Sequence, residues 1–92
     1  VTWGTPAERE RRLRIKVATA AYAYEIENNP LISDAEYDAL AAEVDPQVMT
    51  GHPVYDEFFA VEYQLYTSAW VRKYPDQRGL KRLCDKARRA RT

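Results

Sequence analysis

The stretch YAYEIENNPLISDAEYDAL, residues 22–40, decides how the chain folds, because it ends one helix and starts another across a short turn. Asn28 and Asn29 tolerate left-handed backbone, and the residue before Pro30 is pushed out of the helical region, so the incoming helix stops near Glu27. Just beyond, SDAE is a capping box. The Ser33 hydroxyl accepts from the Glu36 amide while the Glu36 carboxylate accepts from the Ser33 amide. Two helices joined by so short a connection form a helical hairpin.

Upstream, TPAE supplies a similar start, with Thr5 as N-cap, Pro6 at the first helical position and Glu8 closing the box. Leu13, Val17, Ala20, Ala21 and Tyr24 recur at helical spacing, widened by Ile15, Ala18, Tyr22 and Ile26, while Arg9, Arg11, Arg12 and Lys16 serve the wet side. On the second helix Tyr37, Leu40, Ala41 and Val44 form the inner face, and the helix stops near Asp45 and Pro46. The run 46–53, PQVMTGHP, is a loop rich in turn formers.

Beyond it the pattern is mixed. Val54, Phe58, Val61 and Leu65 fit a helix over 54–65, followed by an irregular turn around Thr67 and Ser68, while a short β-hairpin competes for the end of this stretch. From Pro75 onward Leu80, Leu83, Cys84 and Ala87 form one stripe at i, i+3, i+4 and i+7 among basic residues, which predicts an amphipathic helix. The fold expected is all-α, a small helical bundle of three to four helices built on the amino-terminal hairpin, in one domain spanning 1–92.

The composition narrows the function. No run approaches the roughly 18 apolar residues of a membrane span, and the start lacks the features of a secretory signal, so a cytoplasmic protein that does not enter membranes is expected. One cysteine, Cys84, excludes an internal disulfide framework, and with one histidine, His52, no zinc set is expected. The net charge is zero but unevenly spread. Residues 1–24 carry five basic and two acidic side chains, 25–62 carry ten acidic and no basic ones, and 63–92 carry nine basic and two acidic. Either these segments neutralise one another in the fold, or the basic tail is left for a partner.

Asp34, Tyr37 and Asp38 stand at i, i+3 and i+4, on one face of the second helix. The helix dipole favours both acids there, by about 0.3–1 kcal/mol each, which is a structural account of them. The functional account adds Tyr24 and Glu25, which the hairpin folds back toward that face. Aromatic walls with acidic edges suit a flat cationic or amide-bearing ring. In the tail, Trp70 and Tyr74 beside Arg72 and Lys73, with Arg78, Lys81, Arg82 and Arg89 on the last helix, suit single-stranded nucleic acid, unless Trp70 belongs to the core.

The run 22–40, and SDAEYDAL in particular, resembles the small amino-terminal helical domain of bacterial NAD-dependent DNA ligases, over roughly residues 10–45. The resemblance implies a site for nicotinamide mononucleotide or NAD, with Tyr24 and Tyr37 against the nicotinamide ring and Asp34 and Asp38 accepting hydrogen bonds from the nucleotide. Tyr22 also matches an aromatic position. The family usually has histidine where this chain has Glu25, a charge expected to oppose a ligand phosphate. None of Lys16, Lys73, Lys81 and Lys86 begins the K-x-D-G motif of ligase adenylation, so no enzymatic activity is expected.

In the aromatic and basic part, 54–92, and just before it, the runs HPVYDEFF, 52–59, and YTSAWVRKYPD, 66–76, do not continue as the ligases do and resemble instead short bacteriophage proteins in which a ligase-like hairpin is followed by a tryptophan-containing tail. The function expected is a non-catalytic, phage-encoded interaction protein, at work in the bacterial or infected-host cytoplasm and contacting a host or replication protein through the hairpin. A nicotinamide mononucleotide or NAD-binding module, and a nucleic-acid-binding accessory protein using the basic helix, are the alternatives.

Overall fold

The computed structural model describes residues 4–90; the ends of the expected 1–92 unit, Arg91 among them, lie outside the described residues. Four α-helices and one short 3-10 segment follow one another: α1 (Pro6–Glu25), α2 (Asp34–Glu43), α3 (Pro53–Val61), the 3-10 turn (Ala69–Lys73) and α4 (Gln77–Ala90). No strand occurs among the described residues, so the fold is all-α and the β-hairpin alternative for the stretch after α3 is overturned. No helix among them is long and apolar enough to cross a membrane.

The second helix start forms as read, Ser33 and Glu36 completing their reciprocal box at 3.1 and 3.2 Å. At the first, Thr5 caps the helix by accepting from the Glu8 amide at 3.2 Å, but the Glu8 carboxylate accepts from the Thr5 hydroxyl at 3.4 Å instead of closing the expected box. The turn between α1 and α2 depends on Asn28, whose φ of 52° is the left-handed region that asparagine enters more readily than most residues. The chain thereby folds back, and the Asn29 amide donates to the Ala23 carbonyl. α1 stops at Glu25 and α2 at Glu43, each slightly short of expectation.

α1 is the centre of the bundle, with α2, the 3-10 turn and α4 packed around it. One apolar cluster draws on each element, from Val17, Ala18 and Ala21 through Leu31, Ala41 and Val44 to Phe58, Phe59, Trp70, Val71, Leu80 and Cys84. Its densest part is aromatic: Trp70 meets Tyr63 at 4.9 Å, Phe59 at 5.7 Å and Phe58 at 6.0 Å between ring centroids, and Tyr74 meets Phe58 at 5.5 Å. Tilted and edge-on pairs of this kind add to burial because ring edges are positive and faces negative. Cys84 is fully buried, its thiol donating to the Thr19 carbonyl at 3.3 Å, and burial pushes that thiol up to about 11. It packs as a small apolar residue.

The third helix corrects the sequence reading. It ends at Val61 rather than Leu65, and the stripe expected to be buried is largely outside, with Val54 62% and Val61 70% exposed. The inner face is Asp56, Phe58 and Phe59. Two polar anchors account for this. Arg14 draws Asp56 inward, and past the end of α3 Tyr63 Oη donates to the Ala41 carbonyl at 2.8 Å, satisfying an acceptor near the end of α2.

Arg14 is the polar centre of the fold. Its guanidinium donates to Glu10 Oε2 at 2.8 Å, Asp56 Oδ1 at 3.0 Å, and the Asp45 and Val48 carbonyls at 2.7 and 2.9 Å, and it lies 5.1 Å from the Phe59 ring centroid. Glu10 in turn accepts from the Asp45 amide, and Asp56 from the amide and hydroxyl of Thr50. A buried charge is tolerated only when paired and hydrogen-bonded. Here the same bonds fasten the loop after α2 to α1 and α3.

Candidate functional site

α1 ends and α2 begins on the same side of the hairpin, and the space between them is a cavity of about 340 Å³. Tyr24 and Glu25 line it from α1, and Asp34, Tyr37 and Asp38 from α2. All five side chains singled out in the sequence are therefore brought to one cavity. Pro30 and Ile32 close it along the turn, while Tyr66, Thr67 and Ser68 arrive from the segment before the 3-10 turn. These last three had no sequence signal, because nothing local ties residues 66–68 to the hairpin.

The walls are in place for different reasons. Tyr24 lies at the exposed end of α1, 51% accessible, so it faces the cavity rather than the core position its spacing suggested. Tyr22, two residues earlier, is the buried one. Asp34 and Asp38 occupy the first turns of α2, where the dipole favours negative charge. Tyr37 lies between cavity and core. Its hydroxyl is buried close to the Trp70 indole N–H, and neither group completes a hydrogen bond among the described residues. Burial raises the Tyr37 phenol, the Trp70 N–H opposing and the Asp38 charge adding, so it is un-ionised at neutral pH. Because an unpaired buried hydroxyl costs stability, Tyr37→Phe is expected to leave thermal stability unchanged or raise it by up to about 1 kcal/mol. Thermal unfolding followed by circular dichroism checks this.

Glu25 is bound to the tail. Its carboxylate accepts from the Ser68 hydroxyl at 2.8 Å and from Arg72 at 3.1 Å, and Arg72 also reaches the Glu25 carbonyl at 3.4 Å. The charge at the position where a histidine was expected is thus shared with a guanidinium, and the same bonds hold residues 66–68 over the cavity.

The predicted nucleic-acid residues have separate fates. Arg72 pairs with Glu25, Lys73 with Glu62 at 3.2 Å, and Lys81 with Asp85 at 3.2 Å. Arg78, Lys81, Arg82 and Arg89 are exposed along α4, and Arg89 has a partner of its own. Trp70 and Tyr74 are buried at 4% and 7% exposure, which removes the aromatic platform on which bases were expected to stack. With Arg14 on Asp56 and Arg88 on Glu27 as well, part of the basic charge at the two ends pairs with the acidic middle across the bundle.

The cavity and its walls belong to the part of the chain that is recognisable elsewhere. The sequence matches, over residues 4–59, the family described as DNA ligase-like, N-terminal NAD+-binding domain. Comparison with curated proteins and with solved structures finds no match. The matched segment runs from the start of α1 into α3, holds both helices of the hairpin and all five predicted ligand residues, and is more than half of the 92 residues. The chain belongs to the family of DNA ligase-like, N-terminal NAD+-binding domains.

Proposed function

We propose that the chain binds the nicotinamide mononucleotide half of NAD in the cavity between α1 and α2, and that these 92 residues do no chemistry on it. The observation that carries this reading is the convergence of Tyr24, Glu25, Asp34, Tyr37 and Asp38 on one cavity within the family-matched segment. The chemistry of the walls fits the ligand. N-glycosylated nicotinamide is a flat cation, which the faces of Tyr24 and Tyr37 attract, and its hydroxyls and amide have acceptors in Asp34 and Asp38. Glu25 would oppose the phosphate, and Arg72 beside it offsets that charge. No K-x-D-G motif is present to receive an adenylate. This reading takes precedence over the interaction-protein and nucleic-acid readings because Trp70 and Tyr74, the tail aromatics on which they drew, are committed to the core.

The test is a two-dimensional NMR titration with nicotinamide mononucleotide, NAD and a short single-stranded DNA in turn. Nicotinamide mononucleotide should shift the resonances of residues 24, 25, 34, 37 and 38 together with those of 66–68. If it leaves them unmoved, or if DNA alone produces shifts and these lie along α4, the reading is wrong.

A further inference from the structure

A second cavity, of about 160 Å³, lies at the opposite end of α1, enclosed by the beginning of α1, by α3 and by the beginning of α4. The two cavities share no lining residue, Arg11, Arg14 and Ile15 of α1 facing this one and Ala20, Tyr24 and Glu25 the first, so they are separate. Tyr74, Asp76 and Gly79 in its wall lie beyond the family-matched residues, which makes this cavity a product of the matched part and the tail together.

Three aromatic side chains, Tyr55, Phe59 and Tyr74, form the apolar walls, with Tyr55 and Tyr74 tilted at 5.5 Å from each other. A cavity of about 150 Å³ is known to accept benzene, so the volume of this space is matched to one aromatic ring. Burial pushes the Tyr74 phenol up to about 12, Tyr55 and Asp76 adding and Arg11 opposing, so that wall is uncharged at neutral pH.

The charged groups decide what the ring should carry. Arg14 lines the floor but is committed to Glu10, Asp56 and two carbonyls. Asp76 is committed too: its Oδ1 accepts from the Gly79 amide at 2.9 Å as the cap of α4. A Cβ at position 79 would collide with the Asp76 carboxylate that caps the helix, a contact glycine avoids. Arg11 is exposed and has no carboxylate partner among the described residues, and His52 stands with it in the lining. The cavity therefore combines an aromatic interior, in which the charged groups Arg14 and Asp76 are already bonded within the fold, with an available guanidinium at its mouth.

We infer that this second cavity is a binding site for a small aromatic acid, a single ring bearing a carboxylate, with the ring between Tyr55, Phe59 and Tyr74 and the carboxylate on Arg11. Small-molecule sites commonly have this form, mostly apolar with a few polar groups that fix orientation. The inference is independent of nicotinamide nucleotide binding in the first cavity.

Sodium benzoate is the probe, with benzyl alcohol as its neutral counterpart and benzylammonium as its cationic one, each titrated against the full chain by NMR. Benzoate should shift the resonances of residues 11, 52, 55, 74 and 79 and bind about tenfold more tightly than benzyl alcohol, the discrimination expected of one charge-assisted hydrogen bond. Arg11→Gln, an exposed substitution that leaves the core intact, should abolish that preference without changing the melting temperature. Absence of shifts at these residues with all three probes overturns the proposal. So does a preference for benzylammonium, or a benzoate preference that survives Arg11→Gln.

Discussion

Replacing Arg14 with methionine is expected to remove about 3–5 kcal/mol of folding stability, the usual consequence of taking one partner from a buried ion pair. The side chain is 3% exposed and bonded to two carboxylates and two carbonyls. Methionine would fill much of the space but leave the Glu10 and Asp56 carboxylates facing each other without a cation. Domains of this kind are stable by only about 5–15 kcal/mol, so the variant should be partly unfolded at moderate temperature. The control is Arg12→Met. Its pair with Glu8 is long, at 3.6 Å, with both side chains about 60% exposed, and its loss should cost no more than about 0.5 kcal/mol. Urea unfolding of the two variants separates the cases, and an Arg14→Met cost below about 1 kcal/mol would contradict the role assigned to the network.

The same network sets the acid limb of stability. Burial pushes the Asp56 carboxyl up, but the hydroxyl and amide of Thr50 and the Arg14 guanidinium outweigh it and hold the group below the ordinary carboxylate range. Its folded-state value is thus lower than its unfolded value of about 3.9. The stabilisation is complete above that value and is lost as pH falls through the folded one. Acid unfolding should therefore set in below about pH 4, and Asp56→Asn should flatten that limb while lowering stability at neutral pH.

The hairpin was legible because its signals are local. Thr5 with Glu8, and Ser33 with Glu36, are pairs whose partners lie within one helical turn, and Asn28 acts on its own φ. The Arg14 network was not, since its second carboxylate is 42 residues away. A signal for it did exist: Glu10 and Arg14 lie on the same helical stripe as Val17, Ala18 and Ala21, an i,i+4 charge pair on an apolar face, which only a further polar partner makes tolerable. The face and the end of α3 were misread because Val54, Phe58, Val61 and Leu65 do form a periodic set. Periodicity gives a face but not what it faces, and the demand of Arg14 for Asp56 rotated the helix the other way. For the site, the same locality applied. The residues of the hairpin came from spacing and resemblance, whereas Tyr66, Thr67 and Ser68 reach the cavity only through the bonds of Glu25 to Ser68 and Arg72.

Asp38→Ala is expected to weaken the binding of nicotinamide mononucleotide by at least about tenfold, the lower bound for losing one hydrogen bond to a charged group. Asp38 is exposed, and it stands one turn into α2 among the residues that line the cavity. Removing its carboxylate therefore leaves the apolar cluster untouched, and the melting temperature should stay within the range of ordinary surface substitutions. That separation of binding from folding gives the test its force. Asp38→Asn keeps an acceptor oxygen but loses the charge, so it should fall between the native chain and the alanine variant. Glu57→Ala removes an exposed acid on α3, which is absent from the cavity wall, and should change nothing beyond a small general electrostatic effect. Tyr24→Ala removes an aromatic wall without disturbing the core, since Tyr24 is half exposed, and should also weaken the complex. Isothermal titration of these variants decides between two accounts of the acids at the start of α2. If Asp38→Ala lowers stability and leaves affinity intact, the acid serves the helix dipole alone. If affinity falls and stability holds, it serves the ligand.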